Sequence, residues 1–120
     1  MNKELIIERS FDFSPEIRYV AIYQDGDLLF KQREDTQNTS SGETDKFEEL
    51  LVNPTLLKLA EQRGNIDCGG LNYLIVGYGN FFQLIKKINE GHISICLDKK
   101  VDLNTLPKDI FNYLKREFEL

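Results

Sequence analysis

Along the chain the hydrophobic positions change period in a definite order. Arg18-Tyr19-Val20-Ala21-Ile22-Tyr23 is β-branched and aromatic, Gln24-Asp25-Gly26-Asp27 carries a turn signal, and Leu28 to Glu34 runs on as a second strand. This predicts a β-hairpin, and Lys31, Arg33 and Glu34 are charges of the kind that protect an edge strand from foreign pairing. The polar segment 35–43, DTQNTSSGE, has nothing to bury and reads as a flexible surface loop. Thr44 can then cap a helix through Phe47, Leu50, Leu51, Leu56, Leu57, Leu59 and Ala60 that ends at Gly64 in a left-handed conformation. Asn53-Pro54 should kink that helix or restart it, with Asn53 as a second cap and Pro54 in the first position.

After Gly69-Gly70, Leu71 to Val76 predicts a strand, Gly77-Tyr78-Gly79-Asn80 a tight turn, Phe81 to Ile88 a strand, Asn89-Glu90-Gly91 a turn, and His92 to Leu97 another strand. At the end Leu106, Ile110, Phe111, Leu114 and Phe118 fall within about 140° of arc at the helical period, with Thr105 as a plausible cap. The order is ββ-α-βββ-α, an α+β arrangement. The head, 1–17, is ambiguous: it has enough apolar residues to dock, and Ser14-Pro15-Glu16 reads as a turn or one helical turn.

Two strands are apolar on both sides, so both faces of the sheet need cover, which the central and terminal helices can supply one each. Placed on one continuous wheel, Phe47, Leu50, Leu51, Val52, Leu56, Leu57, Leu59 and Ala60 surround the central helix. Such a helix must be buried all round, by a second copy if the domain itself cannot cover it. The alternative is that Asn53-Pro54 resets the phase and leaves two short helices with ordinary inward stripes.

The chain has 120 residues, which fits a single domain, 1–120, with one core. Its net charge of −5 and the absence of sharp basic clusters beyond Lys86-Lys87, Lys99-Lys100 and Lys115-Arg116 disfavour nucleic acid and anionic membranes. No apolar run is long enough to insert into a bilayer, and the head turns charged too early for a signal peptide, so a cytoplasmic location is the default expectation. Cys68 and Cys96 lack metal or redox spacing and are read as reduced thiols, at least one half-buried in a strand.

Candidate chemistry is sparse. Gly77-Tyr78-Gly79 leads into a strand, whereas a dinucleotide loop must open a helix. His92, the lone histidine, is read as a surface imidazole at the mouth of its strand, and on that strand it stands roughly 13 Å from Cys96, too far for a nucleophile and its base. Glu48-Glu49 and Asp25/Asp27 read as solvated carboxylates. One histidine and two distant thiols make no zinc set, and neither cofactor nor enzymatic activity is expected.

Taken together, Tyr19 to Leu29 as the opening hairpin, the long helix before Leu71, the Gly91-His92-Ile93-Ser94-Ile95 hairpin exit and the closing helix resemble the roadblock/dynein light chain family, with its profilin-like and longin-like relatives. The resemblance covers Arg18 to about Glu117. It implies a five-stranded antiparallel sheet sandwiched between helices, and a homodimer joined through the third strand, Leu71 to Val76, and through the central helices. The implied interface is Phe47, Leu51, Leu57, Ala60, Leu71, Tyr73 and Ile75. It further implies a non-enzymatic adaptor or scaffold whose partners include small Ras-like GTPases. The sequence departs from the family in its ambiguous head, where a clear first helix is usual, and in the length of the 35–43 loop. The rival reading is a small-ligand sensor of the PAS or GAF type, with Tyr73, Tyr78, Phe81 and Phe82 lining a pocket.

Overall fold

A computed structural model describes residues 1–34, 36 and 40–120. The elements run α1 (Lys3–Phe13), β1 (Ile17–Gln24), β2 (Asp27–Gln32), α2 (Gly42–Phe47), a π-turn (Glu48–Val52), α3 (Asn53–Asp67), β3 (Leu74–Gly77), β4 (Phe81–Ile88), β5 (Gly91–Asp98) and α4 (Leu106–Phe118). The five strands form one antiparallel sheet in the order β2-β1-β5-β4-β3. Helices lie on both faces.

The head is a regular helix, which removes the first of the two departures from the family pattern. Asn2 caps it, its Oδ1 accepting from the Leu5 amide at 3.1 Å, and Ile6, Ile7 and Ser10 are buried against the sheet. Ser10 is tolerated there because its hydroxyl donates back to the Ile6 carbonyl at 2.7 Å. Arg33 closes the other end. It lies just past β2, and its guanidinium donates to the carbonyls of Phe11, Ser14 and Ile17 at 2.7–2.9 Å while stacking on the Phe11 ring. The edge-protecting role expected of Arg33 is therefore replaced by a helix-terminating one.

Antiparallel register sorts the strand side chains into two sets. Val20, Ile22, Leu84, Ile88, Ile93, Ile95 and Leu97 face α1 and α4, whose Ile6, Ile7, Ile110, Phe111 and Leu114 complete the main core. Tyr19, Ala21, Gln83, Ile85, His92, Ser94 and Cys96 face the other way, toward the helical segment 42–67. The β1–β2 turn has Asp25 and Gly26 at positive φ, as a two-residue hairpin loop requires. At the β4–β5 turn Gly91 packs on β1 so closely that a Cβ would lie 1.8 Å from the Tyr23 carbonyl oxygen, which only glycine permits.

Several boundaries differ from the sequence reading. Asp35, Gln37, Asn38 and Thr39 of the expected loop fall outside the described residues, while Gly42 and Glu43 are already helical. The cap is Ser41, not Thr44: its Oγ accepts from the Thr44 amide at 3.2 Å. Pro54 neither breaks nor restarts the helix. The turn before it widens to the π form, the Asn53 amide donating back to the Glu48 carbonyl, and the helix runs on. Asn53 is thus helical, and its side chain caps nothing. Gly64 is helical too; its role is close approach, since a Cβ there would meet the Gly70 backbone at 3.0 Å. The helix ends at Asp67, where Cys68 and then Gly69 and Gly70 at positive φ turn the chain away. Leu71 to Tyr73 precede β3 rather than belonging to it, and Thr105 offers no side-chain cap to α4.

Candidate functional site

The side of 42–67 that meets the sheet is polar. Asp45, Glu49 and Asn53, spaced four apart, are all buried, with Leu57 and Gly64 following on the same side. Glu49 lies at the centre and is fully enclosed. Its Oε2 accepts from the Tyr19 hydroxyl at 2.8 Å; its Oε1 accepts from Asn53 Nδ2 at 2.8 Å and meets His92 Nε2 at 2.8 Å. The solvated Glu49 and surface His92 of the sequence reading are both corrected by this pairing. Burial of a carboxylate is tolerable only with such a set of donors. Beside it, Gln83 Nε2 donates to Ser94 Oγ at 2.7 Å, and Tyr23 stacks on the His92 ring at 5.7 Å.

The network continues into an open cleft of about 390 Å³ lined by Asp45, Glu48, Glu49, Tyr19, Tyr78 and Gln83 among others. Tyr78 donates to Glu48 Oε1 at 2.8 Å, and Ser40 donates to Asp45 Oδ1. Burial, reinforced by the Glu49 charge, raises the Asp45 and Glu48 carboxyls above the usual carboxylate range, although the Ser40 and Tyr78 hydroxyls each pull the other way. Burial and the adjoining glutamates push both tyrosine phenols up. The Cys96 thiol is driven well up by burial and then by Glu49, which keeps it protonated and a poor nucleophile. Cys68 is the exposed thiol, and both are free. Among the described residues no group of three His, Cys, Asp or Glu side chains could hold a metal ion.

The outward side of 42–67 carries five exposed large apolar residues, Phe47, Leu50, Leu51, Leu59 and Ile66, between 52% and 76%, among charged ones such as Lys46, Lys58 and Arg63. The alternative of two short helices with ordinary inward stripes does not hold, since these residues stay outward on both sides of Pro54. Of the interface residues implied by the resemblance, Phe47, Leu51, Tyr73 and Ile75 are exposed, Ala60 and Leu71 are half-buried, and Leu57 is buried within the chain's own core. Among the described residues β3 is a sheet edge, bonded only to β4. Tyr73 packs on Phe111 of α4 at 5.2 Å. The four aromatics proposed to line a sensor pocket do not converge: Tyr78 and Phe81 line the cleft, while Phe82 packs with the main core on the other face and Tyr73 sits by α4.

No protein-family model matches the sequence, and no curated protein is similar to it in sequence. Solved structures are. A structure described as MglB with tetrameric arrangement aligns with a TM-score of 0.65 at 13% identity, over 94% of this chain and 85% of that one. The gliding protein MglB of Thermus thermophilus aligns at 0.64 and 13%, with the same coverage, and MglC of Myxococcus xanthus at 0.54 and 11%, over 97% and 92%. The chain has a roadblock-like fold, an α+β sheet between helices in the expected order. No helix among the described residues is long and apolar enough to cross a membrane.

Proposed function

We propose that this chain is a non-enzymatic roadblock-type adaptor that acts as a homodimer and presents its dimer surface to another protein, the resemblance naming small Ras-like GTPases as the candidate class. One observation carries the reading: a helix that turns Asp45, Glu49 and Asn53 inward leaves Phe47, Leu50, Leu51 and Leu59 outward, and β3 is an edge strand among the described residues. Large apolar side chains grouped on a surface are costly to leave in water and mark a protein contact. Phe47 and Leu51 on the helix, with Ile75 on the β3 edge, would be covered by the same residues of a second copy related by a two-fold axis. The tetrameric arrangement described for one MglB structure supports self-association in this fold. Leu57 contributes from behind, by holding the helix on the sheet.

Sedimentation velocity at tens of micromolar tests the proposal. The wild type is expected to sediment as a dimer, and Leu51→Asp and Ile75→Asp as folded monomers. A monomeric wild type, or variants that still dimerise, would overturn it. Co-sedimentation with a GTP-loaded small GTPase from the same organism, lost with Leu51→Asp, tests the partner class.

A further inference from the structure

On the α4 face of the sheet the architecture leaves a groove open. β3 pairs with β4 only from Leu74 opposite Ile85 to Gly77 opposite Phe82, so among the described residues Lys86 to Ile88 of β4 have no strand beside them on that side. Leu71 to Tyr73 lie outside the ladder, following Gly69 and Gly70 at positive φ, and the Tyr73 ring packs on Phe111 of α4. The result is a groove of about 650 Å³ with Leu71–Tyr73 on one side, α4 on the other and Lys86 contributed by β4. A second cleft shares Leu71, Lys86, Glu119 and Leu120 with it and carries the opening on past Ile88 to the β4–β5 turn.

The lining has the chemistry of a recognition surface for one kind of partner. Leu71, Tyr73 and Phe111 offer apolar contact. Lys86, Lys108 and Lys115 stand with them, and none of the three forms an ion pair with a described residue. Lys108, Asn112 and Lys115 recur at helical spacing, which puts them on one stripe of α4. The single acidic side chain in this groove is Glu119. In a chain whose acidic residues outnumber its basic ones by 20 to 15, three cations to one anion is a local inversion of charge. That inversion complements an acidic partner, and the adjoining aromatic and aliphatic groups require that it also have something apolar to bury. An elongate opening beside an uncovered stretch of strand suits an extended chain segment. Nucleic acid would meet the negative field of the rest of the molecule.

We infer that this groove docks an acidic peptide segment of another protein, with its carboxylates on Lys86, Lys108 and Lys115 and a large apolar side chain against Leu71, Tyr73 and Phe111. Asn72 and Asn112, both exposed, hydrogen-bond its backbone. The inference goes beyond the adaptor reading: it adds a second docking place on the α4 face of the sheet, whereas the helical dimer contact lies on the other face.

Fluorescence anisotropy of a labelled peptide, EDLFEDE, titrated with the full chain is the test. Saturable binding is expected, weakening by about tenfold between about 50 mM and about 300 mM salt. EDAAEDE should bind about tenfold more weakly and KKLFKKK not at all. Lys108→Glu with Lys115→Glu, both at exposed positions, should weaken EDLFEDE by about tenfold or more at an unchanged melting temperature, while Lys31→Glu, exposed on β2, changes nothing. Sedimentation of the same samples should show an unchanged dimer-to-monomer ratio, so that loss of peptide binding and loss of dimerisation are read separately. No saturation by about 1 mM, equal binding of EDAAEDE, or an equal loss in Lys31→Glu would each overturn the inference. So would a peptide that dissociates the dimer, which would assign the groove to a second copy, or retention on phosphatidylserine vesicles in place of the peptide, which would assign it to a membrane.

Discussion

The sheet is closed on its two faces in opposite ways. Against α1 and α4 it meets an apolar core in which Ile22, Leu84, Ile93, Ile95 and Ile110 are fully enclosed. Against 42–67 its Tyr19 and His92 meet Glu49, beside Asn53, and the apolar packing is smaller, with Ala21, Ile85 and Cys96 of the sheet and Leu57 of the helix buried. The first face is held by area removed from water, a force that does not specify direction. The second is held by hydrogen bonds to one carboxylate, which fix the rotation of the helix about its axis. That rotation points Phe47, Leu51 and Leu59 outward. The polar face therefore determines which surface the molecule offers, while the apolar face keeps it folded.

The sharpest way to break this contrast is at Glu49. Glu49→Ala leaves the Tyr19 hydroxyl, Asn53 Nδ2 and His92 Nε2 buried without their acceptor, and should cost about 3–5 kcal/mol in urea denaturation, with α3 amides losing exchange protection before those of β5. On the other face Ile95→Ala should cost about 3 kcal/mol by leaving a cavity, lowering the urea midpoint without changing the dimer-to-monomer ratio. Arg33→Ala removes the donor to the carbonyls of Phe11, Ser14 and Ile17, from the last turn of α1 to the start of β1, and should cost about 2 kcal/mol, with amide exchange accelerating first in α1.

The smallest effect is a pH dependence confined to the polar face. The folded carboxyls of Asp45 and Glu48 are raised, so the folded state holds more protons than the unfolded one between the ordinary carboxylate range and their folded values. The contribution they make is therefore complete below the unfolded value and is lost as pH rises through the folded one. Asp45→Asn with Glu48→Gln should flatten that decline in a series of urea midpoints above about pH 4, leaving the Ile95→Ala decrement unchanged.

The strands and the closing helix were legible because each obeys a period that burial imposes: β1, β4 and β5 alternate between two covered faces, and α4 has one continuous stripe. α1 was not, because Ser10 interrupts its apolar stripe and is neutralised only by a bond to its own backbone. The polar network was hidden for a different reason. His92 and Glu49 lie 43 residues apart, and nothing local marks either as a partner. A weak signal did exist in the spacing: Asp45, Glu49 and Asn53 stand four apart and lead on to Leu57, so they fall along one stripe of the helix. Pro54 drew attention to a break, whereas the chain solves the missing donor by widening the preceding turn.

That widened turn makes the chain unusually sensitive to a change in length at one place. An α-helix advances 100° and 1.5 Å with each residue. The π-turn spends an extra residue between Glu49, pinned to His92, and Leu57, pinned to the sheet, so both anchors are met at once. Removing a single residue between them would leave composition and hydropathy almost untouched, yet only one anchor could then be satisfied, and everything beyond it would turn by more than a quarter of a circle. In this segment the spacing of residues, more than their identity, is what inheritance must preserve.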